Sequence, residues 1–589
     1  MKSTMRMWHY FDDVRKELYL ASFLSAVTMM SAVALMATSG WLISRAAQMP
    51  PVLELSIAVV GVRTFALSRG VARYSERLVS HNATFKSLGK IRSSLYEKLE
   101  TLAPSGLSAF RNGDLMSRLV ADVDEIQNLP LRVFLPVSSG ILAALFAVVA
   151  TWLIFPIAGL VLLLSISFVA IISPWLTSRL AAKSERETAN LRGELAEELN
   201  AFFVGSADIL MLGAADISLE RISDLDADLT NRSQRLASSL GIASALTVLA
   251  QGVAILVSIS AAIQSVNVGK LDGVLLVVVA LIPMAAFESV ASFPAAALSY
   301  ARVRGSSQRI CEVLDAADPI ANPDPSLQVS GNKLSITKVS ANWPSSTRKA
   351  ISEIDLLAEP GSRIGLVGGS GSGKSSIAAV LVKLLMPSNG NYLLGNIDSN
   401  TLAGESVRKI VKLSLQDSHI FATSIAENLK LAWPDHNDSP TDDQLWVALD
   451  KALLSDWVRS LPKGLNTVVG ERGTSMSGGQ RQRLVAARMF LSDPEVWILD
   501  EPTEHLNHEL ADELIANVIS ASAGKTLILA THRIMDTKAL DHVLVLDQGS
   551  IKESGSPSHL ITTTGDYQRL SERESLARSK DVKVSAKKS

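Results

Sequence analysis

Residues 368–376 read GGSGSGKSS and join one apolar segment, residues 363–367, to a second, mostly apolar one, residues 377–385. The spacing matches G-x-x-x-x-G-K-S between a strand and a helix, which is the context that a phosphate-binding loop requires. Glycines let backbone N–H groups turn towards phosphate oxygens, and the helix N-terminus adds the positive end of its dipole. We expect Lys374 to reach the β- and γ-phosphates of a nucleotide and the Ser375 hydroxyl to bind Mg²⁺. The predicted nucleotide-binding residues of the loop are Gly368, Gly369, Ser370, Gly371, Ser372, Gly373, Lys374, Ser375 and Ser376.

A second apolar segment, residues 496–499, ends in two carboxylates, Asp500 and Glu501. In P-loop ATPases an Asp at the end of such a strand holds Mg²⁺ through water. We therefore assign Asp500 to the metal and Glu501 to the attacking water. The alternative is that both acids only cap the following helix, but the phosphate-binding loop upstream favours the catalytic interpretation.

The composition indicates a membrane protein with a sizeable soluble part. Of 589 residues, 48% are apolar and 19% are charged, and the mean hydropathy is +0.25; a globular domain has about 25% charged residues. The balance of 56 Lys+Arg against 58 Asp+Glu provides no basic excess for nucleic-acid binding. A single cysteine, Cys311, excludes an internal disulfide framework, and we expect it to act as a small apolar residue.

Long apolar segments are confined to the first half of the chain. A helix of about 20 apolar residues crosses the hydrocarbon layer, and six segments qualify: 19–43, 52–72, 133–154, 156–178, 240–265 and 272–299. The predicted class is therefore a six-span helical membrane domain followed by an α/β P-loop domain. Its predicted parts are a membrane domain (1–315), a linker (316–329), a nucleotide-binding domain (330–568) and a disordered tail (569–589).

Basic residues predict the orientation of the spans. Lys2, Arg6, Arg15 and Lys16 precede the first span, and Lys and Arg favour the cytoplasmic side. We therefore expect both termini and the nucleotide-binding domain to be cytoplasmic. The stretches joining spans two to three and four to five are long and charged, which predicts helices that continue into the cytoplasm.

Four further motifs occur in the order in which ABC ATPases carry them. They are Trp343, Gln416, the pentapeptide MSGGQ at 476–480 and His532. Over about residues 330–565 the chain thus resembles an ABC ATPase, with Met in place of the usual Leu at the first signature position. The resemblance implies that Trp343 stacks on adenine, that Gln416 binds Mg²⁺ at the catalytic centre, and that His532 contacts the γ-phosphate.

The same resemblance implies that the chain works as a dimer. In ABC proteins two ATPase domains face head to tail, and each ATP lies between the phosphate loop of one and the signature of the other. This chain has one of each motif, so its signature would serve the ATP of a partner. The signature residues are Ser477, Gly478, Gly479 and Gln480.

The membrane part resembles the six-span fold of ABC exporters. FRNGDLMSRL at residues 110–119 resembles their coupling segment, a second candidate lies near residues 201–213, and residues 469–473 resemble the loop that meets these segments. The alternative for Asn112–Gly113 is a simple turn.

Four stretches resemble the CydC family, whose members are subunits of bacterial heterodimeric CydDC exporters: SGWLISRA (39–46), GVRT (61–64), RYSERLVSH (73–81) and EPTEHL (501–506). The resemblance implies a CydD-like partner, the bacterial plasma membrane and a role in cytochrome bd assembly. Two cargoes are associated with the family, namely thiol reductants (cysteine and glutathione) and haem. In the D-loop that follows residues 501–506, Asn507 stands where the family usually has Asp. This departure puts in doubt how tightly the two ATP sites communicate.

One face of the second span carries candidate cargo residues. At 100° per residue, Arg63, Tyr74, Arg77 and His81 share one helix face. Imidazole is a common haem-iron ligand and arginines suit propionates, so His81 is a candidate haem ligand; the alternative is an ordinary histidine at the membrane interface. Arg63 and Glu288 lie within spans, where charges are costly, and they either pair with each other or line the cargo path.

Three rival functions stay open at this level: a homodimeric lipid or drug exporter, an ATP-gated channel, and a non-transporting haem-binding assembly factor. The first would purify alone as an active dimer, the second would pass ions down a gradient, and the third would hydrolyse ATP without moving cargo. The residues alone do not choose the cargo, its direction, or the faster of two ATP sites.

Overall fold

The structure, a computed structural model, describes residues 2–585 with gaps at 104, 111, 319–328, 330, 345, 347, 435–437, 471–472 and 474. Side chains are described for the same residues except 108–109, 112–114, 180–187, 189–190, 236 and 577–585. The chain divides into two compact units. A helical unit comprises Met1–Glu100 and Asn112–Ala316, and an α/β unit comprises Thr101–Arg111 and Ala317–Ser589.

The helical unit consists of α-helices joined by short turns. Their bounds are α1 Lys2–His9, α2 Arg15–Ala46, α3 Val52–Leu102, α4 Asn112–Ser117, α5 Val123–Ile126, α6 Leu135–Ile154, α7 Pro156–Val204, α8 Ser206–Met211, α9 Ala215–Asn267, α10 Leu275–Glu288 and α11 Phe293–Leu314. Within the described residues, six helical segments are long and apolar enough to cross a membrane. They overlap the six predicted spans, so the predicted number is confirmed.

Three of these helices are much longer than a membrane is thick. Helices α3, α7 and α9 have 51, 49 and 53 residues, which at 1.5 Å per residue is about 75 Å each, against about 30 Å for the hydrocarbon layer. They therefore continue well beyond it, as the charged stretches predicted. The short helix α8 joins α7 to α9 and lies inside the second predicted coupling segment, residues 201–213.

The first predicted coupling segment, residues 110–119, contains α4, although Arg111 lies outside the described residues. A π-helical turn, Arg118–Asp122, follows α4 and is bonded to α11. The buried Asp122 carboxylate accepts hydrogen bonds from Ser306 Oγ at 2.9 Å and Arg309 Nε at 2.7 Å. Because a buried carboxylate is costly unless it is paired, these bonds fix the turn against α11. Of the predicted loop 469–473, Glu471 and Arg472 lie outside the described residues.

The sixth span is interrupted, which the sequence-based prediction of one helix over residues 272–299 did not include. Helix α10 ends at Glu288, residues 289–292 form turns, and α11 begins at Phe293. Pro294 lacks a backbone N–H and its ring clashes with the carbonyl four residues earlier, so a continuous helix is disfavoured here. The Ser289 carbonyl packs so closely on Gly140 that a Cβ there would lie 2.4 Å from the oxygen.

The α/β unit contains two sheets with helices around them. Its strands are β1 Leu334–Ala341, β2 Ile351–Ala358, β3 Arg363–Val367, β4 Asn389–Leu394, β5 Ile397–Asp398, β6 Val411–Ser414, β7 Val496–Asp500, β8 Thr526–Thr531, β9 His542–Asp547 and β10 Ser550–Gly555. Its helices are α12 Lys374–Leu381, α13 Gly404–Ile410, α14 Ile425–Lys430, α15 Asp442–Lys451, α16 Ser455–Ser460, α17 Gly478–Ser492, α18 His508–Ala521, α19 Pro557–Leu560 and α20 Asp566–Ser585.

The larger sheet places the predicted chemistry at one edge. Its order is β10-β9-β3-β8-β7-β6, with β9 through β6 parallel and β10 antiparallel. The carboxyl ends of parallel strands meet at the same edge of a sheet, where ligands bind in open α/β folds. Strand β3 ends at Val367, immediately before the phosphate loop. Strand β7 ends at Asp500, the predicted metal ligand, and β8 ends at Thr531, immediately before His532. The smaller sheet is antiparallel in the order β2-β1-β4-β5.

The C-terminal stretch differs from its prediction as a disordered tail over residues 569–589. Helix α20 continues through Ser585. Its first turns are anchored, because Tyr567 is 1% exposed and bonds Thr537, and Glu574 accepts the backbone N–H of Ile534 at 2.6 Å. A composition rich in charge does not reveal these few anchoring contacts.

Candidate functional site

The phosphate loop runs from β3 to α12 in the predicted strand–loop–helix context. Gly373 precedes α12 with φ +107°, a conformation that favours glycine, and a Cβ there would lie 3.1 Å from the Ala350 carbonyl oxygen. Lys374 is 4% exposed, and its Nζ donates to the carbonyl oxygens of Gly368 at 2.8 Å and Gly369 at 3.1 Å. The ammonium group is therefore held at the loop rather than in solvent.

The metal carboxylate is buried beside the loop hydroxyl. Asp500 is 3% exposed, and burial raises the pKa of its carboxyl, while a hydrogen bond from Ser375 acts in the opposite direction. Its Oδ1 atom has no hydrogen-bond partner among the described residues. A buried carboxylate oxygen without a partner next to a hydroxyl is a donor set that suits Mg²⁺, which prefers oxygen ligands. The residues present therefore fit the expected ion.

Glu501 lies between two nitrogen groups. Its Oε1 is 3.3 Å from Lys374 Nζ and its Oε2 is 3.2 Å from His532 Nδ1. The backbone has φ +49°, an uncommon value for a residue other than glycine, and its N–H donates to the Ala530 carbonyl at 2.8 Å. Strain of this kind persists where the surroundings fix it, often at active sites. Two side chains thus hold the carboxylate, and the bond to Ala530 holds its backbone.

One cleft collects most of the predicted nucleotide residues. Its lining consists of Trp343, Ala350, Ser370, Gly371, Ser372, Gly373, Lys374, Ser375, Ser376, Gln416 and Glu501. Trp343 is half-buried and its Nε1 donates to Ser376 Oγ at 3.2 Å. Gln416 lines the cleft but its Nε2 donates to Glu504 Oε2 at 2.8 Å. The structure therefore brings together residues that lie up to 158 positions apart in the sequence.

The signature begins helix α17 and is not part of that cleft. Ser477 is exposed and caps α17 through a capping box, in which Gln480 Oε1 accepts the Ser477 N–H at 2.8 Å. A Cβ at Gly479 would lie 3.0 Å from the His505 carbonyl oxygen, so glycine is needed for this approach. Among the described residues, none from 476 to 480 lines the cleft that holds the phosphate loop.

Asp536 is a site residue that the sequence did not indicate. It is 2% exposed, and its Oδ2 accepts from Thr503 Oγ1 at 3.1 Å and Thr531 Oγ1 at 2.9 Å. Burial raises the pKa of this carboxyl, and the guanidinium of Arg533 acts against that shift. Thr503 lies two residues after Glu501, and Thr531 directly precedes His532. Asp536 therefore ties the two segments that carry the predicted catalytic pair.

Replacing Asp536 by Ala is expected to lower kcat for ATP about tenfold with little change in KM, because the loops that position Glu501 and His532 lose their common acceptor. Steady-state ATPase kinetics of the purified transporter measure the change. Asp547→Ala, an exposed carboxylate on the same unit, is the matched control. A KM that rises while kcat stays constant would contradict a positioning role.

The predicted cargo residues of the helical unit are only partly brought together. Arg63, Tyr74, Arg77 and His81 all lie on exposed positions of α3, and the His81 ring contacts that of Phe85. Glu288 does not pair with Arg63: its Oε1 lies 3.4 Å from Nη2 of Arg69. Arg77 and Glu288 line one cavity, whose lining does not include Arg63, Tyr74 or His81.

Comparisons with known proteins agree with this fold. The family model described as ABC transporter matches residues 351–504. The chain is 29% identical to the glutathione/L-cysteine transport system ATP-binding/permease protein CydC of Escherichia coli K12, over 94% of this chain and 96% of that protein. It is 28% identical to the glutathione/L-cysteine transport system ATP-binding/permease protein CydD of Bacillus subtilis 168, over 97% of this chain and 99% of that protein. A bacterial Atm1-family ABC exporter solved with ATP bound has the same fold, with a TM-score of 0.82 and 21% identity over 95% and 98% of the two chains.

The fold and the site together define the class: six candidate membrane helices are followed by an α/β domain that matches the ABC transporter family model, which supports a multi-pass inner-membrane ATPase that couples ATP hydrolysis to transport. Within that class it is similar to CydC and CydD proteins along nearly its whole length, which confirms the resemblance predicted from the sequence.

Proposed function

We propose that the chain is one half of a heterodimeric exporter that moves small thiol compounds, cysteine or glutathione, across the bacterial inner membrane. The observation that supports a dimer is that the ATP cleft of this chain is incomplete. Its lining holds the phosphate loop, Gln416 and Glu501 but, among the described residues, no signature residue. The second wall then has to come from the signature of another chain, and a CydD-like partner is the natural candidate because relatives with both names cover this chain.

In this proposal the polar groups in and beside the cleft divide the tasks of binding and hydrolysis. Lys374 and the loop N–H groups would hold phosphate oxygens, Ser375 and Asp500 would hold Mg²⁺ with Gln416 beside them, and Trp343 would stack on the adenine. The metal ion supplies charge neutralisation between the phosphates. Glu501 orients the attacking water, and His532 fixes the Glu501 carboxylate and contacts the γ-phosphate. The signature residues Ser477, Gly478, Gly479 and Gln480 act on the partner's ATP.

The cargo assignment rests on the names of the relatives and on the cavity in the helical unit. Both relatives are named for glutathione and L-cysteine transport. We do not extend the proposal to haem, because His81 does not line the cavity that contains Arg77 and Glu288. The role in cytochrome bd assembly and the cytoplasmic placement of both termini stay predictions from the sequence.

Reconstituted vesicles test the function. The chain, copurified with its partner half-transporter, is placed in proteoliposomes, and ATP added on the side of the nucleotide-binding domains is expected to drive accumulation of radiolabelled cysteine or glutathione. A non-hydrolysable ATP analogue is the control for passive leakage. ATP consumption without movement of either thiol would contradict the cargo, and full activity of the chain purified alone would favour a homodimeric exporter.

A further inference from the structure

A charged cavity of about 250 Å³ lies between α2, α3 and α10 of the helical unit. Its charged lining comes from Arg69, Arg73, Glu76 and Arg77 of α3 and from Glu288 of α10. Small-molecule pockets usually measure about 300–1,000 Å³, so the volume suits a small solute. The cavity contains both signs of charge, with three arginines against two glutamates.

The four charged residues of α3 share one helix face. At 100° per residue, Arg73 lies about 40°, Glu76 about 20° and Arg77 about 80° from the direction of Arg69. Only the Arg69–Glu288 pair, at 3.4 Å, falls within ion-pair distance. In the part of the chain that the structure describes, no ion pair holds Arg73, Glu76 or Arg77. The cavity therefore contains two guanidinium groups, of Arg73 and Arg77, and one carboxylate, of Glu76, that form no ion pair within the described part of the chain.

Two of these charged residues, Arg69 and Glu288, lie within spans, where a charge is costly. Arg69 lies 17 residues after the start of α3, about 26 Å along the helix, and Glu288 lies 13 residues after the start of α10, about 20 Å along it. Both belong to segments long and apolar enough to span a membrane. Ionisable residues in such segments face a cavity or a partner and mark pathways for polar cargo.

The turn between α10 and α11 adjoins the same cavity. Helix α10 ends at Glu288, the turn residues 289–292 follow, and Ser289 lines the cavity. The turn keeps right-handed helical backbone at Ser289 and Ser292, and the Ala291 N–H still donates to the Phe287 carbonyl at 3.1 Å. Its backbone groups therefore stay paired while the chain passes beside the cavity.

We propose that this cavity binds the charged groups of an amino-acid cargo, with Arg73 and Arg77 holding a carboxylate and Glu288 holding the α-ammonium. The inference rests on the proposed thiol-export function and assigns its cargo site. Cysteine carries an α-ammonium and one carboxylate, and glutathione carries an α-ammonium and two carboxylates. Haem carries carboxylates but no ammonium, so Glu288 separates the two kinds of cargo. Arg69 would release Glu288 when the ammonium enters.

Cysteine and two analogues test each contact separately. Binding of labelled L-cysteine, N-acetyl-L-cysteine and L-cysteine methyl ester is measured on the full heterodimer in nanodiscs with reductant present. Charge-assisted hydrogen bonds are roughly twice as strong as neutral ones, so we expect the wild type to bind cysteine about tenfold more tightly than either analogue. Arg73→Gln is expected to erase the preference over the ester only. Glu288→Gln is expected to erase the preference over the N-acetyl form only.

Lys86→Gln is the matched control, because Lys86 is exposed on α3 about 140° away from the direction of Arg73 and does not line the cavity. Arg73→Lys keeps the charge and is expected to retain part of the preference over the ester, which separates charge from folding. Equal weakening of all three ligands, or no change in either variant while the wild type still exports cysteine, would overturn the site and leave the export function standing. Absence of cysteine and glutathione binding and export in the wild type would overturn both.

Discussion

Glu501→Gln is expected to lower ATP turnover at this chain's site by about 10²- to 10⁴-fold, the usual contribution of general-base catalysis, while ATP still binds. The substitution keeps the size of the side chain and one oxygen. It removes the negative charge that would orient and polarise water. Because ATP binding draws on Lys374 and the loop N–H groups, we expect nucleotide to remain bound and the two nucleotide-binding domains to remain closed.

The position of Glu501 makes this a test of chemistry rather than of folding. The strained φ of +49° and the N–H bond to Ala530 belong to the backbone and persist in the variant. A glutamine oxygen at the Oε1 position still lies near Lys374, which is 3.3 Å away in the structure. The hydrogen bond to His532 depends on the tautomer of the imidazole and adapts to an amide.

Single-turnover ATP hydrolysis measures the effect, with the partner's own catalytic site inactivated so that it contributes no background. Glu513→Gln on α18, exposed and outside the cleft, is the matched carboxylate-to-amide control. Undiminished single-turnover hydrolysis in Glu501→Gln would remove this residue from the catalytic role. Loss of ATP binding in the same variant would show that the carboxylate shapes the loop instead.

The ATP cleft was predictable because its main parts are short motifs of consecutive residues at the ends of strands in a parallel sheet. The phosphate loop, Asp500–Glu501 and His532 each follow a buried parallel strand, so their order in the chain already places them at one sheet edge. Asp536 was not predictable in the same way. Its role depends on two threonine hydroxyls that come from segments 28 residues apart in the sequence, and a lone Asp after a strand has no distinguishing spacing.

In the helical unit, the sequence could not predict which side chains of different helices meet. A period of 3.6 residues predicts which face of α3 a charge occupies, but not which neighbouring helix comes near it. The sequence therefore indicated Glu288 and left two alternatives, a pair with Arg63 or a place on the cargo path, whereas the structure pairs Glu288 with Arg69. The turn at residues 289–292 was missed because the apolar run over residues 272–299, which contains Pro283 and Pro294, looks continuous at the level of hydropathy.

Lys374→Ala is expected to weaken ATP binding roughly 100-fold, because removing one partner of a buried charged contact costs about 2–5 kcal/mol and each 1.4 kcal/mol is a factor of ten. The ammonium is buried at the loop and is the cation nearest to Glu501 among the groups of the cleft. Its loss removes a phosphate contact and leaves the Glu501 carboxylate without that neighbour. Hydrolysis at this site is expected to fall with binding.

Lys383 provides an internal comparison for that variant. It lies two residues beyond α12, is 1% exposed, and its Nζ donates to the carbonyl oxygens of Ser399, at 2.8 Å, and Leu402. Burial lowers the pKa of this lysine. Both lysines are thus buried cations bonded to two backbone carbonyls, but only Lys374 lines the ATP cleft. Lys383→Met is expected to lower thermal stability, because two buried carbonyl groups lose their donor, while the folded fraction keeps its ATP affinity.

Nucleotide titration and thermal unfolding of the two variants therefore give opposite patterns. Fluorescent ATP-analogue binding should separate Lys374→Ala from wild type by about two orders of magnitude, with Lys383→Met close to wild type. Thermal unfolding without nucleotide should be lowered more by Lys383→Met. If both variants lose ATP binding in proportion to their loss of stability, the effect of Lys374 is structural. The loop would then bind phosphate mainly through its backbone N–H groups and the helix dipole.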